Sequence, residues 1–212
     1  MPRLPASVSE DTVDQAVQRL RWAHAIVYPT ETLYGLGVDA TSPGALERLA
    51  DLKGGDRDKP VSVLVASRAM LDDFVADVPA VAERLIEKFW PGALTIALTA
   101  RSTVPARLTA GTGTIGARVS SHPVAQAIVT ALGRPLTATS ANPGGAPPPG
   151  EVATARGYFS ERVAVYVDAG PAAGSPASTV LDCSTPTPRL VRAGAIPLEA
   201  IEAAAGMRVR RE

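Results

Sequence analysis

Six polar islands interrupt the apolar runs of this chain: YPTETLYGLG (28–37), KGGDRDKP (53–60), Arg118 closing TIGAR, TSANPGG (139–145), ASTV (177–180) and LVRAG (190–194). Each offers side chains suited to an anion or to a small polar molecule. Hydroxyls come from Thr32, Ser140 and Ser178, a carboxamide from Asn142, and cationic heads from Lys53, Lys59, Arg118 and Arg192. Taken singly, every island reads as turn chemistry. Taken together, they fall at the ends of strand-like runs, where open α/β sheets bind ligands. The set suits an anionic substrate with directional polar groups.

Other chemistries find little support. GTGTIGARV carries Gly111, Gly113 and Gly116 in dinucleotide-site order, but that motif needs a helix after its last glycine to hold the pyrophosphate, and TIGARV reads as a strand. A Gly-rich turn is the better reading. No P-loop pattern occurs. The single cysteine, Cys183, rules out an internal disulfide framework and reads as an inert core thiol on a strand. With His24 and His122 it makes no group at zinc-ligand spacing, and no metal site built from protein side chains is expected. His122 before Pro123 reads as a helix start, His24 as a helix C-terminus, and Trp90 as core packing.

The elements that must position the islands follow from periodicity. Val13, Ala16, Val17, Leu20 and Ala23 repeat at helical spacing, and AIVY (25–28) then reads as a buried strand stopped by Pro29. Ser42-Pro43 starts a helix that presents Leu46, Leu49 and Ala50 on one face and ends at Gly54-Gly55. VSVLVA (61–66) reads as a strand. Helical patterns recur at 79–89, 123–132 and 197–205, and strand-like runs at 94–100, 114–119, 135–138, 163–167, 178–182 and 189–192. The alternation predicts an α/β fold. The connections between the last three runs are too short for crossover helices, so that part is expected to be antiparallel and the sheet mixed. NPGGAPPPG (142–150) reads as a surface loop.

At 212 residues and 46% hydrophobic, the chain can bury one core, expected over about 10–205 with a flexible, solvated tail at 206–212. Its 21 basic and 21 acidic residues balance, which excludes a polyelectrolyte partner of nucleic acid. No run approaches the ~20 apolar residues of a membrane span and no leader pattern opens the chain, so a cytoplasmic protein without membrane contact is expected.

In order and spacing, PTET-x-YGLG followed by SAN and ST-V resembles the YrdC-like threonylcarbamoyl-AMP synthase family from about Ala25 to about Gly194. The resemblance implies a single α/β domain with a twisted, open mixed sheet, flanking helices and a concave active-site face. It also implies condensation of L-threonine, bicarbonate and ATP, with Mg²⁺, to threonylcarbamoyl-adenylate and pyrophosphate. The product would pass to a tRNA threonylcarbamoyl transferase complex that modifies ANN-decoding tRNAs, with at most weak direct tRNA contact. By the same resemblance Thr32, Arg118, Ser140 and Ser178 would hold L-threonine. Lys53, Lys59, Thr114, Asn142 and Arg192 would hold ATP. Such chemistry needs positioning and charge neutralisation more than acid–base groups, which suits a sequence without a catalytic triad.

Two departures stand out. Gly55 replaces an arginine of the family's K-x-R, so Arg57, freed by the Gly54-Gly55 pair, is expected to reach the phosphates and to act with Lys53 in catalysis. Leu64 stands where some members carry histidine. They motivate an alternative, a catalytically impaired RNA-binding or regulatory paralogue. A carbamoyl-adenylate-forming relative is a third reading, which the complete threonine set disfavours.

Overall fold

The first helix, α1 (Glu10–Arg21), starts where Ser9 accepts a hydrogen bond from the Thr12 amide, and it buries Val13, Ala16, Val17 and Leu20. It feeds a hairpin, β1 (Ile26–Pro29) and β2 (Tyr34–Gly37), paired antiparallel from Ile26–Gly37 to Pro29–Tyr34. The computed structural model describes residues 4–54, 58–172, 174 and 176–211. Helix α2 (Pro43–Leu52) follows, with the Ser42 hydroxyl as its cap, Pro43 in its first turn and Lys53 at its C-cap.

The remaining elements are β3 (Val63–Leu64), α3 (Ala80–Phe89), β4 (Leu94–Thr99), the short α4 (Ala106–Thr109), β5 (Thr114–Arg118) and α5 (Pro123–Leu132). They continue through β6 (Leu136–Thr137), β7 (Thr139–Ser140), α6 (Val152–Phe159), β8 (Val165–Tyr166), β9 (Thr179–Asp182), β10 (Arg189–Arg192) and α7 (Leu198–Ala205). Two mixed sheets result, in the orders β7-β2-β1-β8 and β10-β9-β4-β5-β3-β6. The α/β class with mixed, open sheets stands, but the expected single sheet is two. The chain crosses between them at Ala138, because β6 pairs with β3 while β7 pairs with β2.

Two apolar clusters hold the layers. The larger joins one face of the hairpin to α2, α3, β4, β5 and α7. The smaller packs α1 and α5 over Ile26, Tyr28, Leu64 and Leu136.

Several expectations need correction. Run 163–167 yields β8, which leaves the β9–β10 pair and lies parallel to β1 in the other sheet. The 206–212 tail is held rather than free at Val209 and Arg210. Val209 is buried, its amide donates to Glu202 Oε1 at 3.0 Å, and Arg210 forms a parallel bridge with Arg189. Cys183 is buried as expected, but it sits just beyond β9 rather than on it; burial pushes its thiol up to about 12, which leaves it unreactive. His122 does cap α5, its Nδ1 accepting from the Val124 amide. Trp90 is partly buried against the larger cluster, and its Nε1 donates to the Leu94 carbonyl at 2.7 Å. GTGTIG is a turn into β5, with Gly111 and Gly113 at φ 78° and 72°.

Candidate active site

A cavity of about 250 Å³ lies between the two sheets and collects side chains from distant parts of the sequence. Thr32, Arg118, Ser140, Ser178 and Arg192 all line it. Five of the predicted site residues therefore meet in one place.

The turn between β1 and β2 sets Thr32. Thr30 Oγ1 accepts from the amides of Thr32 and Leu33, both at 3.2 Å, donates to the Leu33 carbonyl at 2.6 Å and shares a 3.0 Å bond with Thr32 Oγ1. This local bonding of a threonine to its own turn fixes PTETL before any ligand arrives.

Between the two threonines, Glu31 reaches Arg118. Arg118 NH1 donates to Glu31 Oε1 at 2.6 Å, and the Ser120 hydroxyl donates to Glu31 Oε2. Arg118 is 5% exposed, so its charge is out of bulk water and compensated by a partly buried carboxylate. Sequence reasoning missed Glu31 and Ser120. Glu31 stands 87 residues from Arg118, and nothing local marks it as that partner.

Across the larger sheet, Ser178 Oγ shares a 3.0 Å hydrogen bond with Thr95 on β4. Arg192 donates from Nε and NH2 to the Ser178 carbonyl at 3.2 and 2.8 Å, and from NH2 to Ser178 Oγ at 3.1 Å. Although Arg192 as a residue is exposed, its guanidinium turns inward. Burial, and then the Arg118 charge, lower its affinity for a proton. Gly194 allows this approach, because a Cβ there would stand 2.2 Å from the Ala177 carbonyl oxygen.

The expected nucleotide residues are more spread. Lys53 Nζ donates to the carbonyls of Ser140 and Asn142 at 2.9 and 2.5 Å, tying the end of α2 to the SAN segment. Burial, helped by the neighbouring Lys59, lowers its ammonium to about 8. Asn142 is 6% exposed; its amide nitrogen donates to the carbonyls of Pro143 and Ala146, at 2.9 and 2.6 Å. Its Oδ1 is buried and, among the described residues, accepts nothing. Neither Lys53 nor Asn142 lines the cavity, while Lys59 precedes Pro60, which does. Thr114 lies at the opposite end of β5 from Arg118, on the same face because the two are four residues apart. Between them Gly116 keeps that face open, since a Cβ there would meet Ser62 Oγ at 2.7 Å. Arg57 lies outside the described residues. Leu64 is fully buried in the smaller cluster and does not line the cavity, so the residue that stands for a histidine serves packing here.

Among the described residues no group of three or more His, Cys, Asp or Glu is placed to hold a metal ion, and no helix is long and apolar enough to cross a membrane.

The Sua5/YciO/YrdC family model, described as telomere recombination, matches residues 18–194. The chain is 37% identical over 201 residues to the threonylcarbamoyl-AMP synthase of Bacillus subtilis, covering 94% of this chain and 58% of that one. It is 38% identical over 192 residues to a putative threonylcarbamoyl-AMP synthase of Mycobacterium tuberculosis, covering 91% and 88%. Among solved structures, P. abyssi Sua5 complexed with L-threonine superposes with a TM-score of 0.93 at 33% identity, over 97% of this chain and 60% of that one. The chain thus spans less than two thirds of the B. subtilis and P. abyssi relatives, and the shared part contains the whole cavity described above. It belongs to the Sua5/YciO/YrdC family.

Proposed function

We propose that this chain is a threonylcarbamoyl-AMP synthase, condensing L-threonine, bicarbonate and ATP to threonylcarbamoyl-adenylate and pyrophosphate. The observation that carries the reading is the meeting of Thr32, Arg118, Ser140 and Ser178 in one cavity, from four separate segments. Its likeness to a Sua5 structure complexed with L-threonine supports the same reading.

Threonine enters as a zwitterion. Its carboxylate takes the free edge of the Arg118 guanidinium, whose planar donors match a carboxylate in two parallel hydrogen bonds. Glu31 holds the other edge, so the fork is aimed before the substrate binds. The hydroxyls of Thr32, Ser140 and Ser178 supply the remaining polar contacts.

ATP lies along the open face of β5, past Gly116 toward Thr114, with its phosphates toward Lys53, Lys59 and Asn142. Magnesium would arrive with the nucleotide as part of the substrate and would offset phosphate charge. The carboxylate of N-carboxy-threonine attacks the α-phosphorus, and pyrophosphate leaves in line. The protein's work is alignment and cancellation of charge, so the absence of an acid–base pair from the reading is no obstacle. The product would be handed to a tRNA threonylcarbamoyl transferase complex in the cytoplasm.

Calorimetric titration with L-threonine tests the pocket directly. A single site is expected, with a rise in thermal stability of about 2.7 kcal/mol at a hundred times the dissociation constant. Absence of L-threonine binding to the folded protein would refute the assignment.

A further inference from the structure

Helix α1 buries one face and leaves the other to solvent. Val13, Ala16, Val17 and Leu20 pack into the smaller cluster with α5 and β1. The opposite side carries Asp11, Asp14, Gln15, Gln18, Arg21 and Trp22, all exposed. These six line an open groove of about 580 Å³ that reaches Ala131 on α5, and none of them lines the cavity between the sheets. Trp22 is 58% exposed, more than any other large apolar side chain among the described residues. The Arg19 guanidinium covers one side of its ring, 5.6 Å from the centroid, and an indole with a free side is a strong anchor for a partner.

Charge is divided along this stripe. Glu10, Asp11 and Asp14 lie toward its start, Arg19 and Arg21 toward its end. The division suits the helix dipole, but it leaves the charges of one copy unable to meet. Asp14 and Arg21 are seven residues apart, about 10.5 Å along the axis, which is too far to pair. The ion pairs among the described residues join other groups. Arg21 NH2 donates to the Ala131 carbonyl at 3.0 Å, which holds it beside the groove.

Spacing shows what fits. Asp11 and Gln18, Asp14 and Arg21, and Gln15 and Trp22 are each seven residues apart, the repeat at which helices meet along a seam. An antiparallel copy related by a twofold axis at Gln18 brings Asp14 of one chain level with Arg21 of the other. The same operation sets Gln15 opposite Trp22 and Gln18 opposite itself. Both unlike pairs then form at once, and each indole lies over Gln15 and Asp11 of the other copy. A parallel copy would set Asp14 against Asp14. The stripe is therefore complementary to itself in one orientation only.

We infer that the exposed face of α1 is a homodimer interface, closed by two Asp14–Arg21 ion pairs and the two Trp22 rings. A helix about 18 Å long covers less than the ~800 Å² per partner of a stable complex, so the pairing is weak and reversible.

Sedimentation velocity from about 5 to about 500 µM tests it, with a dimer expected at a Kd of about 100 µM that weakens at least fivefold from ~0.05 to ~0.5 M salt. Trp22→Ala is expected to weaken the dimer about tenfold. Asp14→Arg and Arg21→Glu each set like charges in both pairs and should weaken it at least tenfold. Mixed in equal amounts, these two variants supply each other's missing charge, and they should associate within about threefold of the wild-type Kd. That recovery also shows that both variants fold. A wild-type protein that stays monomeric throughout, a dimer indifferent to these substitutions, or a mixture no tighter than either variant alone overturns the inference.

Discussion

Arg118 at the end of β5 and Lys53 at the end of α2 are both cations drawn out of water, yet their surroundings are finished to different degrees. Around Arg118, Glu31 spends one oxygen on the guanidinium and one on Ser120, and the Thr30 turn is closed on itself. Around Lys53, the ammonium rests on two backbone carbonyls, and the neighbouring Asn142 Oδ1 is buried without a donor among the described residues. Buried polar atoms are normally satisfied, so this acceptor is open to a donor from a ligand or from water. On the function proposed above, the Arg118 side would receive a small zwitterion into a fork already aimed, and the nucleotide would complete the Lys53 side.

That contrast can be broken at its strongest point by Arg118→Gln. The change removes the fork and leaves the partly buried Glu31 with Ser120 but without its cationic partner. Expected is a fall of ~10²–10³-fold in kcat/KM for threonine, with the ATP dissociation constant within about twofold of wild type. Equal loss for both substrates, measured by calorimetry, would erase the distinction between the two sides.

Asn142→Ala probes the other side. It removes the orphan acceptor together with the donor that holds Pro143 and Ala146, and the KM for ATP should rise about tenfold while threonine binding is kept. A threonine KM that shifts with it would show the sides to be one unit.

The pH dependence of ATP binding sharpens the comparison further. Burial, then Lys59, lowers Lys53 to about 8, while an unfolded lysine titrates near 10.4. Between those values the unfolded chain binds more protons, so stability from this group rises with pH as the cation needed by phosphate is lost. The KM for ATP should therefore climb a few-fold from about pH 7.5 to about pH 9, and Lys53→Arg should flatten that climb because arginine stays charged. The threonine Kd should not follow. The smallest effect is expected from Arg57→Ala, with ATP affinity down about threefold and more so at low salt. An unchanged affinity would remove Arg57 from the phosphate set.

Much of this arrangement is legible in the sequence. Ser42-Pro43 gave the start of α2, and His122-Pro123 gave α5, because helix caps are local chemistry. The threonine residues were named from motif order, and they meet. What escaped depends on packing between distant segments. YGLG reads poorly as a strand, yet β2 needs its glycines, since a Cβ at Gly35 or Gly37 would lie 2.9 or 2.7 Å from the Tyr28 ring. Run 135–138 gives β6, but TSANPGG reads as turn chemistry, and no local signal shows that its first two residues, Thr139–Ser140, form a strand of the other sheet. Glu31, Ser120 and Thr95 were silent for the same reason. Their partners lie 83 or more residues away, and each looks like an ordinary turn or strand residue until the sheets are assembled.

The central claim is tested most directly by incubating the purified protein with labelled bicarbonate, ATP and Mg²⁺, with and without L-threonine, and measuring adenylate and pyrophosphate. The account predicts a labelled adenylate that depends on threonine, with pyrophosphate released in equal amount. No threonine-dependent product under conditions where a known family synthase is active, or robust product from carbamoyl phosphate without threonine, would contradict it.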